Sequence, residues 1–177
     1  DGRPIHNKVA SMRSMKPDIL LMAGGTDGGA VDQVLEMTGI VKEADVKPRF
    51  GPDYPLPVIF AGNVELQERV ASLLTNGYAT KIVENVRPVI SKENLGPARE
   101  SIYDAYMEHV LVHSPGFDKV AGWSSGRVLP SQAVVGKILY SYAQSEDLNL
   151  IGVDVGGDTT DVYSVFDGVF NRSLNAE

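Results

Sequence analysis

Two stretches of the chain repeat one pattern. Ile19-Leu20-Leu21-Met22-Ala23 is an unbroken apolar run, followed by Gly24-Gly25-Thr26-Asp27-Gly28-Gly29 and a segment in which Val31, Val34 and Leu35 recur at helical spacing up to Gly39. Pro57-Val58-Ile59-Phe60-Ala61 is the second run, followed by Gly62-Asn63 and a segment with Val70, Leu73 and Leu74 on one stripe up to Asn76-Gly77. Continuous apolar runs suit strands buried on both faces, and the segments after them suit amphipathic helices. Asn63 is a good helix N-cap, and Glu65 and Glu68 place negative charge at the positive end of that helix. Ala79–Val83 reads as a third strand. The order β-α-β-α-β over residues 1–90 predicts an open, mostly parallel, Rossmann-like sheet in an α/β fold. The proline-rich stretch Lys47–Pro57, including Phe50 and Pro52, reads as the connecting loop.

Residues 91–148 read as helical. Pro97 suits the first turn of a helix running to about Val112, with Ile102, Tyr106 and His109 or Val110 on one face. Ser114 to Arg127 is rich in Gly, Ser and Pro and reads as loop. A further helix runs from Pro130 or Ser131 to Glu146-Asp147, with Val134, Ile138 and Tyr142 on one side. Residues 149–177 change period. Leu150–Val155 and Thr159–Phe166 read as strands around Gly156-Gly157-Asp158, and Asp167-Gly168 is a hairpin signal leading into Val169-Phe170. This is the start of an antiparallel meander, and three strands alone leave an edge available for pairing between chains, as in a homo-oligomer.

Composition narrows the classes. The 177 residues are 43% hydrophobic and 22% charged, enough for a core and unlike a disordered chain. The formal charge of −7 shows no basic surplus for nucleic acid, so no nucleic-acid partner is expected. No apolar run is long enough to span a bilayer, and no membrane partner is expected. The absence of cysteine removes disulfides, thiol catalysis and Cys-ligated zinc; it is compatible with an intracellular location without showing one, and cytoplasmic is the expectation.

The chemistry concentrates in Asp154-Val155-Gly156-Gly157-Asp158-Thr159-Thr160-Asp161. A strand delivers the Asp154 carboxylate to its end. Gly156 and Gly157 let backbone N–H groups approach an anion, Thr159 and Thr160 add hydroxyls, and Asp154 and Asp161 are hard oxygen ligands suited to Mg²⁺ or its waters. The same residues also suit a plain turn whose Gly, Asp and Thr satisfy local geometry. A Walker loop is excluded, because no Gly-Lys-Ser/Thr ending and no following helix occur.

This hairpin resembles the second phosphate-binding hairpin of the actin–Hsp70–sugar kinase ATPase superfamily. PDILLMAGGTDGG, PVIFAGN, ENVRPVI, NLGPARESI and DVGGDTTDVYSV, running in order from Pro17 to Val165, are similar to the MutL/GlmL family of glutamate mutase accessory proteins. The resemblance implies a ribonuclease-H-like lobe opening at residue 149 and an ATP-dependent reactivating factor, or chaperone, for an adenosylcobalamin-dependent mutase. It implies ATP and Mg²⁺ as cofactors, phosphate held at Gly156, Gly157, Thr159 and Thr160, and metal at Asp154 and Asp161. Asp158 stands where relatives often carry a small residue. No Asp-x-Gly-x-Thr hairpin precedes Asp154, so the chain is expected to be an internal fragment that does not hydrolyse ATP alone.

Other features allow two readings each. Gly24 and Gly25 lie at the C-terminal end of a parallel strand, where open α/β sheets bind ligands, and could offer amides to a phosphate; Thr26 or Asp27 could equally be a simple cap. His109 and His113 share a helix face but lack the glutamate of a zinc helix, and read as surface residues. Trp123-Ser124-Ser125-Gly126-Arg127 lacks the strand and spacing of a nucleophile elbow and reads at most as a partner contact. The main alternative function is a non-catalytic docking module with a vestigial hairpin. A small-molecule kinase would share the hairpin, but no substrate base can be nominated.

Overall fold

The computed structural model describes residues 2–49, 51, 53–126, 128–157 and 159–176. The chain forms two compact units, Asp1–Asp118 and Lys119–Glu177.

The first unit is built on a parallel sheet in the order β1 (Leu20–Met22), β2 (Leu56–Phe60), β3 (Tyr78–Ile82). Helix α1 (Ile5–Met15) precedes it, α2 (Asp32–Ala44) joins β1 to β2, and a 3₁₀ turn (Val64–Leu66) with α3 (Gln67–Leu73) joins β2 to β3. Every residue of β2 is buried, as a central strand covered on both faces requires. Val34, Val41, Val58, Phe60, Val70 and Leu74 form its core. Thus the β-α-β-α-β order and the parallel pairing follow the hydrophobic pattern. Helix α2 does not stop at Gly39 as expected. Ile40, Val41 and Ala44 lie beyond it and are buried, and their packing outweighs the roughly 1 kcal/mol that an interior glycine costs a helix. The helix ends instead at Asp45, which is left-handed.

Helix α4 (Gly96–His109) starts with proline in its first turn, as expected, and ends three residues early. Its buried face is Ala98, Ser101 and Ala105, whereas Tyr106 on the expected face is exposed. Small residues let the helix lie against β2, with which it packs. Within the stretch read as loop, α5 (Phe117–Trp123) is helical. Pro115 and Gly116 precede this seven-residue helix, which accommodates Gly122 in its last turn.

The second unit carries α6 (Ser131–Glu146) and an antiparallel meander, β4 (Leu150–Val155), β5 (Thr159–Phe166) and β6 (Val169–Ala176). Asp167 and Gly168 both have positive φ, 49° and 74°, as a two-residue I′ turn requires. The packing face of α6 reverses the expected one. Val134, Ile138 and Tyr142 are exposed, and Gly136 and Ala143 are buried. A Cβ on Gly136 would lie 3.0 Å from the Phe170 ring, and one on Gly152 would collide with Leu139. Helix and sheet approach through a notch of absent side chains, so Leu139 seats where a larger pair would not fit. Among the described residues no helix is long and apolar enough to cross a membrane.

Candidate functional site

The hairpin places its expected residues as follows. Asp154 and Asp161 are register partners across β4 and β5, and Val155 faces Thr160. Directly opposed like charges repel across a strand pair, so this pair needs a counter-charge. The structure supplies one internally. Arg172 on β6 donates Nε to Asp161 Oδ1 at 2.7 Å, and its Nη2 lies 2.6 Å from the same oxygen. Asp161 is 2% exposed, while Asp154 is half-buried. Arg172 carried no signal in the sequence, because only the β5–β6 register brings it to Asp161.

At the turn, the Gly156 N–H donates to the Thr159 carbonyl at 2.8 Å, so this amide is spent inside the hairpin. Gly157 has open space where a Cβ would stand. Thr159 and Thr160 are half-buried. The Asp158 position lies outside the described residues, as do Phe50, Pro52 and Arg127. Tyr163, fully buried beneath this face, donates its hydroxyl to the Gln132 carbonyl at 3.1 Å. Burial raises its pKa above the usual tyrosine value, and the negative charge of Asp161 adds to the rise.

Gly24 and Gly25 belong to a second polar region, at the C-terminal edge of the parallel sheet. Three loops meet there, 23–31, 61–63 and 83–95. The Gly24 carbonyl accepts the Asn63 N–H at 3.0 Å, and the Gly25 carbonyl accepts Asn85 Nδ2 at 3.0 Å. Gly25 has a φ of +70°, and a Cβ there would stand 2.9 Å from the Ala30 carbonyl. Asn63 caps as expected, its Oδ1 accepting Glu65 N–H and also Gly28 N–H, each at 3.1 Å. That clamp fixes which end of the carboxamide is which, and leaves Nδ2 buried without a hydrogen-bond partner among the described residues. Asp27 Oδ1 accepts Val64 N–H at 3.0 Å and Asn85 Nδ2 at 2.9 Å. Asn85 was invisible as a site residue in the sequence beyond its place in ENVRPVI. Among the described residues no group of three or more His, Asp or Glu side chains converges as a metal cage. His113 meets Tyr54 edge-on with ring centroids 4.8 Å apart, and its Nδ1 lies 3.1 Å from the His109 carbonyl.

Fold and site together define a two-unit α/β protein: a parallel sheet with a polar loop edge, and an antiparallel meander whose first hairpin carries Gly-Gly and Thr-Thr between two aspartates. The family model described as MutL protein matches residues 3–174. Protein MutL of Clostridium tetanomorphum is 32% identical over 169 residues, which cover 92% of this chain and 35% of that protein. The chain therefore belongs to the MutL protein family, and spans about a third of the length of this relative. No solved structure matches it.

Proposed function

We propose that this chain is part of an ATP-dependent reactivating factor, a chaperone for an adenosylcobalamin-dependent mutase of the glutamate mutase kind. The observation that carries the reading is the hairpin: an open Gly157, two hydroxyls and a half-exposed Asp154 at the end of a strand pair, in a chain of the MutL family. That donor set fits a polyphosphate arriving with its own Mg²⁺. Thr159 and Thr160 would bind phosphate oxygens by their hydroxyls, and the Gly157 turn would admit them without steric conflict. Asp154 would orient metal-bound water. Bound Mg-ATP would supply the phosphoanhydride energy for exchanging a damaged cobalamin. Asp161 contributes differently from Asp154, because Arg172 already engages one of its oxygens.

That same ion pair favours a second reading, in which the hairpin is vestigial and the chain only docks the mutase: Asp161 is neutralised without any metal. One experiment separates the two. In the full-length protein, Asp154→Ala and Thr160→Ala are expected to abolish ATP-dependent recovery of inactivated mutase while leaving capture of the mutase intact. Recovery that persists undiminished in both variants sinks the ATPase reading and leaves the docking module.

A further inference from the structure

Three motifs that the hairpin reading leaves unused meet in the first unit. Asp27, Asn63 and Asn85 are far apart in sequence, yet their side chains lock one loop edge together through the hydrogen bonds described above. The Asp27 N–H also donates to the Pro88 carbonyl at 2.9 Å, tying the first loop to the third. Beside this network opens a cavity of about 400 Å³, lined among others by Asp27, Gln67, Glu84, Asn85, Lys92 and Asn94. Its size suits a small molecule, and the C-terminal edge of a parallel sheet is where such folds bind ligands.

We propose that this cavity binds a small zwitterion of amino-acid size, with its ammonium on Asp27 and its carboxylate on Lys92. Asp27 is exposed, and both hydrogen bonds to it fall on Oδ1, which leaves Oδ2 as an acceptor for an incoming donor. Glu84, the other carboxylate in the lining, already accepts from Asn94 Nδ2 at 2.8 Å. Lys92 is exposed, and among the described residues its ammonium has no ion-pair partner. Two carboxylate oxygens, Asp27 Oδ2 and Glu84 Oε1, and one ammonium thus remain unanswered around a single cavity among the described residues. A phosphate would meet two carboxylates for one ammonium, and a simple cation would meet Lys92. A ligand carrying both charges answers both groups. The loops are already held in place by their own hydrogen bonds, so binding does not have to order them.

The test is calorimetric titration of the protein with glycine, L-glutamate and L-lysine, with acetate, methylammonium and inorganic phosphate as single-charge controls. At least one zwitterion is expected to bind saturably and more tightly than any control. Asp27→Asn keeps Oδ1 for the loop but replaces the free acceptor by a donor, and Lys92→Met removes the cation from an exposed position. Each is expected to weaken zwitterion binding by about tenfold or more, the scale of one charge-assisted hydrogen bond. Should Asp27→Asn unfold the loop, Lys92→Met decides alone. Absence of saturable zwitterion binding overturns the proposal, as does tighter binding of phosphate, or affinity unchanged by Lys92→Met.

Discussion

The two units handle polar groups at strand ends in opposite ways. In the first, β2 is apolar and buried along its whole length, and polar chemistry is confined to the loops, where carboxamides and backbone groups satisfy one another. In the second, the polar groups sit within the strands. β4 alternates half-buried and exposed positions, and Asp154, Asp161 and Arg172 lie on β4, β5 and β6 respectively. A parallel sheet covered by helices cannot carry a charge mid-strand without heavy desolvation cost, so its polar groups gather at the loop edge. The antiparallel meander carries Asp161 mid-strand on its buried face, because Arg172 pairs with it there.

That contrast predicts unequal responses to mutation. Phe60→Ala should have the largest effect, about 3–5 kcal/mol, because Phe60 is fully buried in the core cluster with Val34, Val58 and Val70. Denaturant unfolding measures the loss, and amide exchange locates it: protection should fall across β1–β3 and persist across β4–β6. An equal fall in both sheets would break the comparison. Arg172→Gln should cost about 2 kcal/mol, less than removing a partner of a fully buried pair, because Arg172 itself reaches solvent. Adding Asp161→Asn should restore most of the loss. A double variant no better than the single one would mean that Arg172 matters for packing rather than charge.

The smallest effect concerns one tyrosine in each unit. Tyr78 donates its hydroxyl to the Val41 carbonyl at 2.6 Å and accepts the Val46 N–H at 3.0 Å, and burial raises its pKa as it does for Tyr163. Both therefore stay neutral in the fold at a pH where the unfolded chain ionises. Their contribution is complete below about pH 10 and is lost as pH rises through the elevated folded values. Tyr163→Phe should cost about 1 kcal/mol at neutral pH, the worth of one hydrogen bond. It should also flatten the alkaline decline in stability, read by urea unfolding on either side of about pH 10. A decline as steep in the variant as in the parent would remove Tyr163 from this account.

Much of the fold was legible because strand period and turn chemistry are local. The apolar runs at 19–23 and 57–61, the helix start after Pro130 and the Asp167-Gly168 turn all lie where the pattern puts them. Helix faces were less legible. On α4 Tyr106, and on α6 Val134, Ile138 and Tyr142, are exposed, while Ala98, Ala105, Gly136 and Ala143 are buried and Leu139 packs against Gly152. A hydrophobic stripe names an inward face only when the neighbouring element has room for it, and here the neighbours approach too closely.

The amino-acid order by itself determined which segments become strands, which turns join them, and that Gly and Thr stand between two aspartates on adjacent strands. Only the tertiary structure decided what those groups meet. Register on β6 brings Arg172 to Asp161, and parallel pairing of three strands brings Asp27, Asn63 and Asn85 to one edge. Backbone period is a property of neighbours in sequence, whereas charge pairing and cavity formation depend on groups far apart in it: Arg172 is 11 residues from Asp161, and Asn85 is 58 from Asp27.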